Sequence, residues 1–353
     1  MTTDSTALLD RYATTWGGDI RRFSPPAGRF DGVIGGPPCQ AYSLVGRARN
    51  SGIEGYVPEK DPRHFLYREY IRIIGKLKPI AFVMENVKGF LSASIDGAGI
   101  FQRVLADLKS AGGAPDSYRI IPLTATNRSR GQEHVIEAER FGVPQRRHRV
   151  ILFGVRKDVA TGAAGLALAG QSMEPAARTA TVRDVLEGMP RLRSALSREQ
   201  DSPSSWRRVV VESLRTAAAA AFEEEGDEFD TVVEQLGRYA GKLEKIRELP
   251  ELSSTALAPV RDPDLETWLL DPRLRSLANH ASRSHMKGDL ARYAFSAVFG
   301  AVNGRSPKAR DYPAGLAPKH ENWASGKFAD RFRVQLWDEP STTVTSHISK
   351  DGH

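Results

Sequence analysis

The chain has 353 residues, 40% hydrophobic and 26% charged, enough length and apolar content for one large soluble domain or two ordinary ones. Its single cysteine excludes an internal disulfide and any zinc site built from several cysteines, and fits the reducing cytoplasm. A formal net charge of +7 favours a polyanion such as nucleic acid; no stretch is apolar enough to cross a bilayer, and the amino terminus lacks the pattern of a secretory signal.

Residues 1–156 alternate strand-like and helix-like patterns. The run Phe30 to Gly35 ends a short strand at Val33-Ile34. Asp61-Pro62 is an N-cap followed by proline at the first helical position, and Leu66, Tyr70, Ile73, Ile74 and Leu77 follow at helical spacing until Lys78-Pro79. Ile80 to Met84 is continuously apolar, as a buried parallel strand is. Phe101, Val104, Leu105 and Leu108 mark the next helix, ended by Gly112-Gly113. Tyr118 to Leu123 and Arg149 to Val155 give two more strands, and the alternation predicts a parallel sheet covered by helices. Residues 158–181, rich in Ala, Gly, Ser and Thr, read as a linker, and 182–190 as a short helix ended by Pro190. Residues 205–249 are helical by pattern, with a further helix near 286–300.

Three segments of the first part carry chemistry. Cys39 lies in Pro37-Pro38-Cys39-Gln40, just past the first strand. A free cysteine more often packs as a small hydrophobe, but two prolines stiffen this loop, which suits the aiming of a nucleophile. Glu85, in Met84-Glu85-Asn86-Val87, follows the second buried strand and would share a rim with Cys39; alone it reads more readily as a helix N-cap or a structural ion pair. Gln145, Arg147 and Arg149 alternate at the start of the last strand, so they project together if extended backbone begins at Gln145. Such arginines hold a carboxylate, a phosphate or a base carbonyl, or else form a solvated basic edge.

In this order and spacing the chain resembles the DNA cytosine-5 methyltransferase family. The matching residues are Pro37-Pro38-Cys39-Gln40 with Ser43, Glu85-Asn86-Val87, and Gln145, Arg147 and Arg149, supported by Gly18-Asp19-Ile20, Arg63, Leu66 and Phe141 to Gln145. The likeness is strong over about residues 15–156 and returns at Arg333, Leu336 and Pro340 to Val344. It implies an incomplete Rossmann-like S-adenosylmethionine-dependent methyltransferase sheet with a largely helical target-recognition region. The divisions it implies are a catalytic domain over 1–157, a target-recognition region over 158–330 and a return segment over 331–353. Cys39 would be the nucleophile toward cytosine C6, Glu85 would engage N3 and the exocyclic amine, Arg149 would hold the base carbonyl and Arg147 would support the Cys39 loop. Gln40, Ser43, Asn86, Val87 and Gln145 would contact substrate, which is a base flipped out of double-stranded DNA. S-adenosylmethionine would lie against Asp19, Ile20, Pro38 and Leu66, with no metal. In the target region Arg207, Arg208, His280, Arg283, His285, Lys287, Arg292 and Tyr293 would meet phosphates, and no cysteines accompany His280 and His285 to make a zinc site.

Two pieces of the family pattern are absent: the opening Phe-x-Gly-x-Gly loop before Gly18, and the final segment beyond Lys350 to His353. The expectation is therefore a chain truncated at both ends, weak or inactive alone, with a second chain or segment supplying the missing motifs. The competing readings are a DNA-binding subunit of a split methyltransferase and a tRNA cytosine-5 methyltransferase. A thiol hydrolase, with His148 or His64 paired to Cys39, is more remote.

Overall fold

The computed structural model describes residues 31–37, 66–95, 98–124, 131–161, 172–319, 323 and 332–343. The expected helix start at Asp61-Pro62 and the Cys39 loop lie outside them. In chain order the elements that build the first part are β1 (Gly32–Gly35), α1 (Leu66–Leu77), β2 (Ala81–Val87), α2 (Ile100–Lys109), β3 (Tyr118–Ile121) and β4 (Val135–Glu137). They are followed by β5 (Gln145–Arg146), β6 (His148–Arg156) and α3 (Lys157–Ala160). The described residues form two compact units, one drawn from 1–141 and 148–176, the other from 142–147 and 177–353.

The first unit is mixed α/β around a sheet of order β1-β2-β6-β3, with β4 also paired to β6. Phe82, Met84 and Asn86 of β2 are buried while Val83, Glu85 and Val87 are only half-buried, the two-residue period of a pleated strand. β1 pairs with β2 in parallel, Val33 opposite Phe82. The wholly parallel sheet expected from the sequence is not what forms: β6 runs antiparallel to β2, β3 and β4. A parallel pair needs a crossover, usually a helix, and no α-helix lies between β3 and β6 among the described residues. An apolar run shows that a strand is buried and not which way it points.

On the even-numbered face, Tyr67, Tyr70 and Ile74 of α1 and Phe101, Val104 and Leu108 of α2 join Phe82, Met84, Val150 and Leu152 in one core. Each large apolar side chain buried there contributes about 1.5–3 kcal/mol. Ile121, Val155 and Ala160 form a smaller cluster with Ala81, Phe153 and Val159. Tyr70 ties α1 to the sheet, because its hydroxyl donates to the carbonyls of Val83 at 2.8 Å and Val33 at 3.3 Å. Burial drives the pKa of that phenol well above its ordinary value.

The second unit holds α4 (Val182–Leu186), β7 (Ala195–Leu196), α5 (Pro203–Phe222), α6 (Asp227–Lys245), α7 (Pro263–Leu269), β8 (Ser284–His285), α8 (Lys287–Asn303) and β9 (Ser341–Thr342). The helical stretch expected over 205–249 is a hairpin of two helices, broken at Glu223 to Gly226, where Gly226 takes a φ of 132°. Val211, Leu214 and Ala217 of α5, Val232, Leu236 and Ala240 of α6, and Phe295 and Phe299 of α8 make its core. Helix α7 was not expected, although Asp262-Pro263 starts it with the same cap-then-proline signal read at Asp61-Pro62. β5 pairs in parallel with β9, Gln145 opposite Ser341.

Candidate active site

The site is built at the carboxyl ends of β1 and β2, where parallel neighbours present their last residues on one rim. Gly35 lets the ring of Tyr70 come under β1, since a Cβ there would lie 2.6 Å from Tyr70 Cε2. At Gly36 a Cβ would stand 3.2 Å from Glu85 Oε2. The chain thus leaves β1 directly beside the Glu85 carboxylate, three residues before Cys39. Cys39 itself, with Pro38, Gln40 and Ser43, lies outside the described residues, as do Asp19 and Ile20.

Glu85 is met by Arg149, whose Nε lies 2.6 Å from Oε1. That N–H is not aligned for a hydrogen bond, so the contact is an ion pair. The same guanidinium donates from Nη1 to the His148 carbonyl at 2.8 Å, which holds the head in place. The pair follows from register: Val87 faces Arg149 and Glu85 faces Ile151, so Glu85 and Arg149 are diagonal neighbours on one face. The Glu85 side chain keeps 40% of its surface and Arg149 keeps 21%. The carboxylate is reachable from solvent, as a group that must meet an incoming ligand has to be.

Asn86 points to the opposite, buried face, 2% exposed, with its Oδ1 accepting the Val87 N–H at 2.9 Å. Leu66 is half-buried in the first turn of α1. The expected common projection of Gln145, Arg147 and Arg149 does not follow from the backbone. Extended pairing covers Gln145 and Arg146, the Arg147 N–H turns back to the Gln145 carbonyl at 2.8 Å, and the long strand restarts at His148. Arg147 is exposed and Gln145 half-buried, both in the second unit, whereas Arg149 belongs to the first.

Two interactions were not anticipated. His148 Nε2 lies 2.7 Å from Glu139 Oε1, pairing the residues on either side of segment 142–147. Tyr70 holds the two site strands together through their carbonyls. The sequence signal for the second was a tyrosine inside an otherwise apolar helical stripe. In the second unit His280 Nε2 meets the Pro190 carbonyl at 2.9 Å, and His285 packs edge-on to Tyr293 at 5.2 Å. No helix among the described residues is long and apolar enough to cross a membrane.

The sequence profile of C-5 cytosine-specific DNA methylases matches residues 10–248, about two thirds of the chain. This chain belongs to that family. It is 32% identical over 325 residues to the Type II methyltransferase M.Bpa9945I of Bacillus paralicheniformis, covering 92% of this chain and 57% of that protein. It is 37% identical over 141 residues to the Type II methyltransferase M.BbvI of Brevibacillus brevis, covering 40% of this chain and 31% of that one. The DNA (cytosine-5-)-methyltransferase M.ApeKI of Aeropyrum pernix is 33% identical over 138 residues, 37% of this chain and 28% of the relative. The chain therefore spans little more than half the length of the first of these relatives and about a third of the others.

Proposed function

We propose that the chain transfers a methyl group to C5 of cytosine in double-stranded DNA, as part of a Type II restriction–modification system. The observation that carries this reading is the Glu85–Arg149 pair on the rim where the chain leaves β1 toward Cys39, with Gly36 backed against the Glu85 carboxylate. Family membership and the names of the curated relatives support it.

The mechanism follows from what each side chain can do. Cytosine C5 is a poor nucleophile until a thiolate adds to C6. The Cys39 thiolate forms the C6–S bond, and the ring electrons move toward N3 and C5. Glu85 engages N3 and the exocyclic amine, so it stabilises the charge that reaches N3. Arg149, already beside Glu85, turns its guanidinium to the base carbonyl, while Arg147 supports the Cys39 loop. When bound, S-adenosylmethionine supplies an electrophilic methyl on a sulfonium. Once C5 has gained the methyl, a base takes the C5 proton, the electrons re-form the C5–C6 double bond and Cys39 departs as thiolate. The base must be out of the helical stack, with Gln40, Ser43, Val87 and Gln145 lining its approach, while Asn86, buried on the other face, supports the Val87 backbone from behind.

For the methyl donor the proposed set is Asp19, Ile20, Pro38 and Leu66. One carboxylate with three apolar residues suits a nucleoside, whose ribose hydroxyls donate and whose base packs. These residues would lie around the sheet of a Rossmann-like S-adenosylmethionine-dependent methyltransferase domain, Leu66 on α1, with the helical second unit contributing to target recognition.

The test is transfer of label from S-adenosylmethionine to mixed-sequence duplex DNA, with this chain beside Cys39→Ser. Label at cytosine C5 that vanishes in the variant is the expected result. Transfer that survives Cys39→Ser, or label on an exocyclic nitrogen, would refute the covalent mechanism.

A further inference from the structure

The α5–α6 hairpin is electrically polarised along its length. At its turn stand Glu223, Glu224, Glu225, Asp227, Glu228 and Asp230. Toward the other end α5 carries Arg207 and Arg208 near its start and Arg215 past its middle, and α6 carries Arg238, Lys242 and Lys245, followed by Arg247; the carboxylates interspersed there, Glu212, Glu244 and Glu248, are fewer. The two helices run antiparallel, as the pairs between them show. Arg215 pairs with Glu244 at 2.6 Å, and Arg207 Nη2 donates to the Arg247 carbonyl at 3.2 Å.

That basic end holds an open groove of about 430 Å³ lined by Ser204, Arg207, Arg208, Val211, Glu212, Arg215 and Glu244. Both of its carboxylates are already engaged, Glu244 by Arg215 and Glu212 by Lys287 at 2.5 Å. Two arginines are left with little compensation. Arg208 finds its carboxylate, Glu199, only at 3.8 Å. Arg207 makes no carboxylate contact among the described residues, and its Nε is buried without a hydrogen-bond partner. Two neighbouring guanidiniums without a close carboxylate at an open groove favour an anion there.

We propose that the groove on α5 binds the phosphate backbone of duplex DNA, and that the acidic turn of the hairpin faces away from it. This rests on the reading of the chain as acting on DNA. A duplex presents a row of phosphates to the fixed guanidinium pair Arg207-Arg208. The like-charged hairpin turn, on the order of 20 Å away along α5 at 1.5 Å per residue, is repelled. The hairpin is thereby an orienting element: it sets which end of the second unit meets the helix and carries no base readout.

The experiment is fluorescence anisotropy of a labelled mixed-sequence duplex over a salt series, comparing the wild-type chain with R207Q/R208Q. The control is R310Q/K319Q, which removes the same charge from the segment around Ala314, whose N–H is accepted by Glu224 of the hairpin turn at 2.9 Å. Every phosphate that is no longer neutralised flattens the log–log salt slope by about 0.9. Between about 50 and 200 mM salt the wild-type chain should therefore lose roughly twelvefold more affinity than R207Q/R208Q. The control should keep the wild-type slope. Equal slopes for the wild-type chain and R207Q/R208Q overturn the groove. So does an equal loss in both variants, which would report net charge alone, or displacement by an acidic peptide as potent as by unlabelled duplex. The slope is read without methyl transfer, so binding through the groove by an inactive chain would fail the proposed function and leave this inference standing. Transfer with an unchanged slope would do the reverse.

Discussion

Glu85→Gln keeps the shape of the side chain and removes its charge, which separates what the residue does for the fold from what it does for the base. The structural share is small. Glu85 is 40% exposed and its partner Arg149 21% exposed, so their attraction is screened by water and comparable exposed pairs contribute about 0.2–1 kcal/mol. For a unit of this size that is a change in Tm of no more than about 4 °C. The functional share is larger. A charge-assisted contact that strengthens as charge reaches N3 is comparable to one oxyanion-hole donor, worth about 2.7–4 kcal/mol, or roughly 100- to 1,000-fold in rate. Single-turnover methyl transfer on pre-bound duplex, read beside a thermal melt, should show that loss with the melt almost unmoved. A rate within about threefold of wild type would refute the assignment of Glu85 to the reacting base. A melt lowered by 10 °C or more, on the order of three times what the exposed pair accounts for, would make the residue structural.

Further outcomes follow from the packing. Gly35→Ala sets a Cβ 2.6 Å from the Tyr70 ring, which is itself held by two hydrogen bonds, so a loss of about 1–3 kcal/mol in urea unfolding is expected. Gly237→Ala, inside α6 with open space around the added methyl, should gain about 0.5–1 kcal/mol by the same assay. His134 is 4% exposed, and burial lowers its pKa below the ordinary 6.5, offset in part by Glu133. Its folded form is neutral, so stability is full above the unfolded-state pKa and falls as pH drops from there toward the folded value. The slope of unfolding free energy between pH 7.5 and 5, about the range of an imidazole, should flatten in His134→Leu; an unchanged slope would show that other groups set it.

The elements with strong local signals were legible in the sequence. The α1 stripe of Leu66, Tyr70, Ile73, Ile74 and Leu77 ends where Lys78-Pro79 stops it, and the apolar run before Glu85 forms the first part of β2, which continues through Glu85 to Val87 rather than ending before it. The site was legible only in part. Residue order placed Glu85 at a strand end, but its meeting with Arg149 depends on the antiparallel register of β2 and β6. That register is fixed by which faces of both strands are buried, information that no single segment holds. Simple alternation grouped Arg149 with Gln145 and Arg147, and one turned-back N–H at Arg147 undoes it. The break between α5 and α6 was present as a glycine after three glutamates, yet the apolar pattern on either side concealed it.

The pairing of β5 with β9 joins Gln145 to Ser341, 196 positions apart. Chains are synthesised at about 5–20 residues per second, so Gln145 and Arg146 leave the ribosome about 10–40 s before their strand partner exists. In that interval the sheet strands on both sides of the segment and the whole α5–α6 hairpin have been made. The Gln-Arg-Arg segment thus acquires its strand partner only after the α5–α6 hairpin exists. A nascent protein released early would carry the Glu85–Arg149 pair without a paired β5.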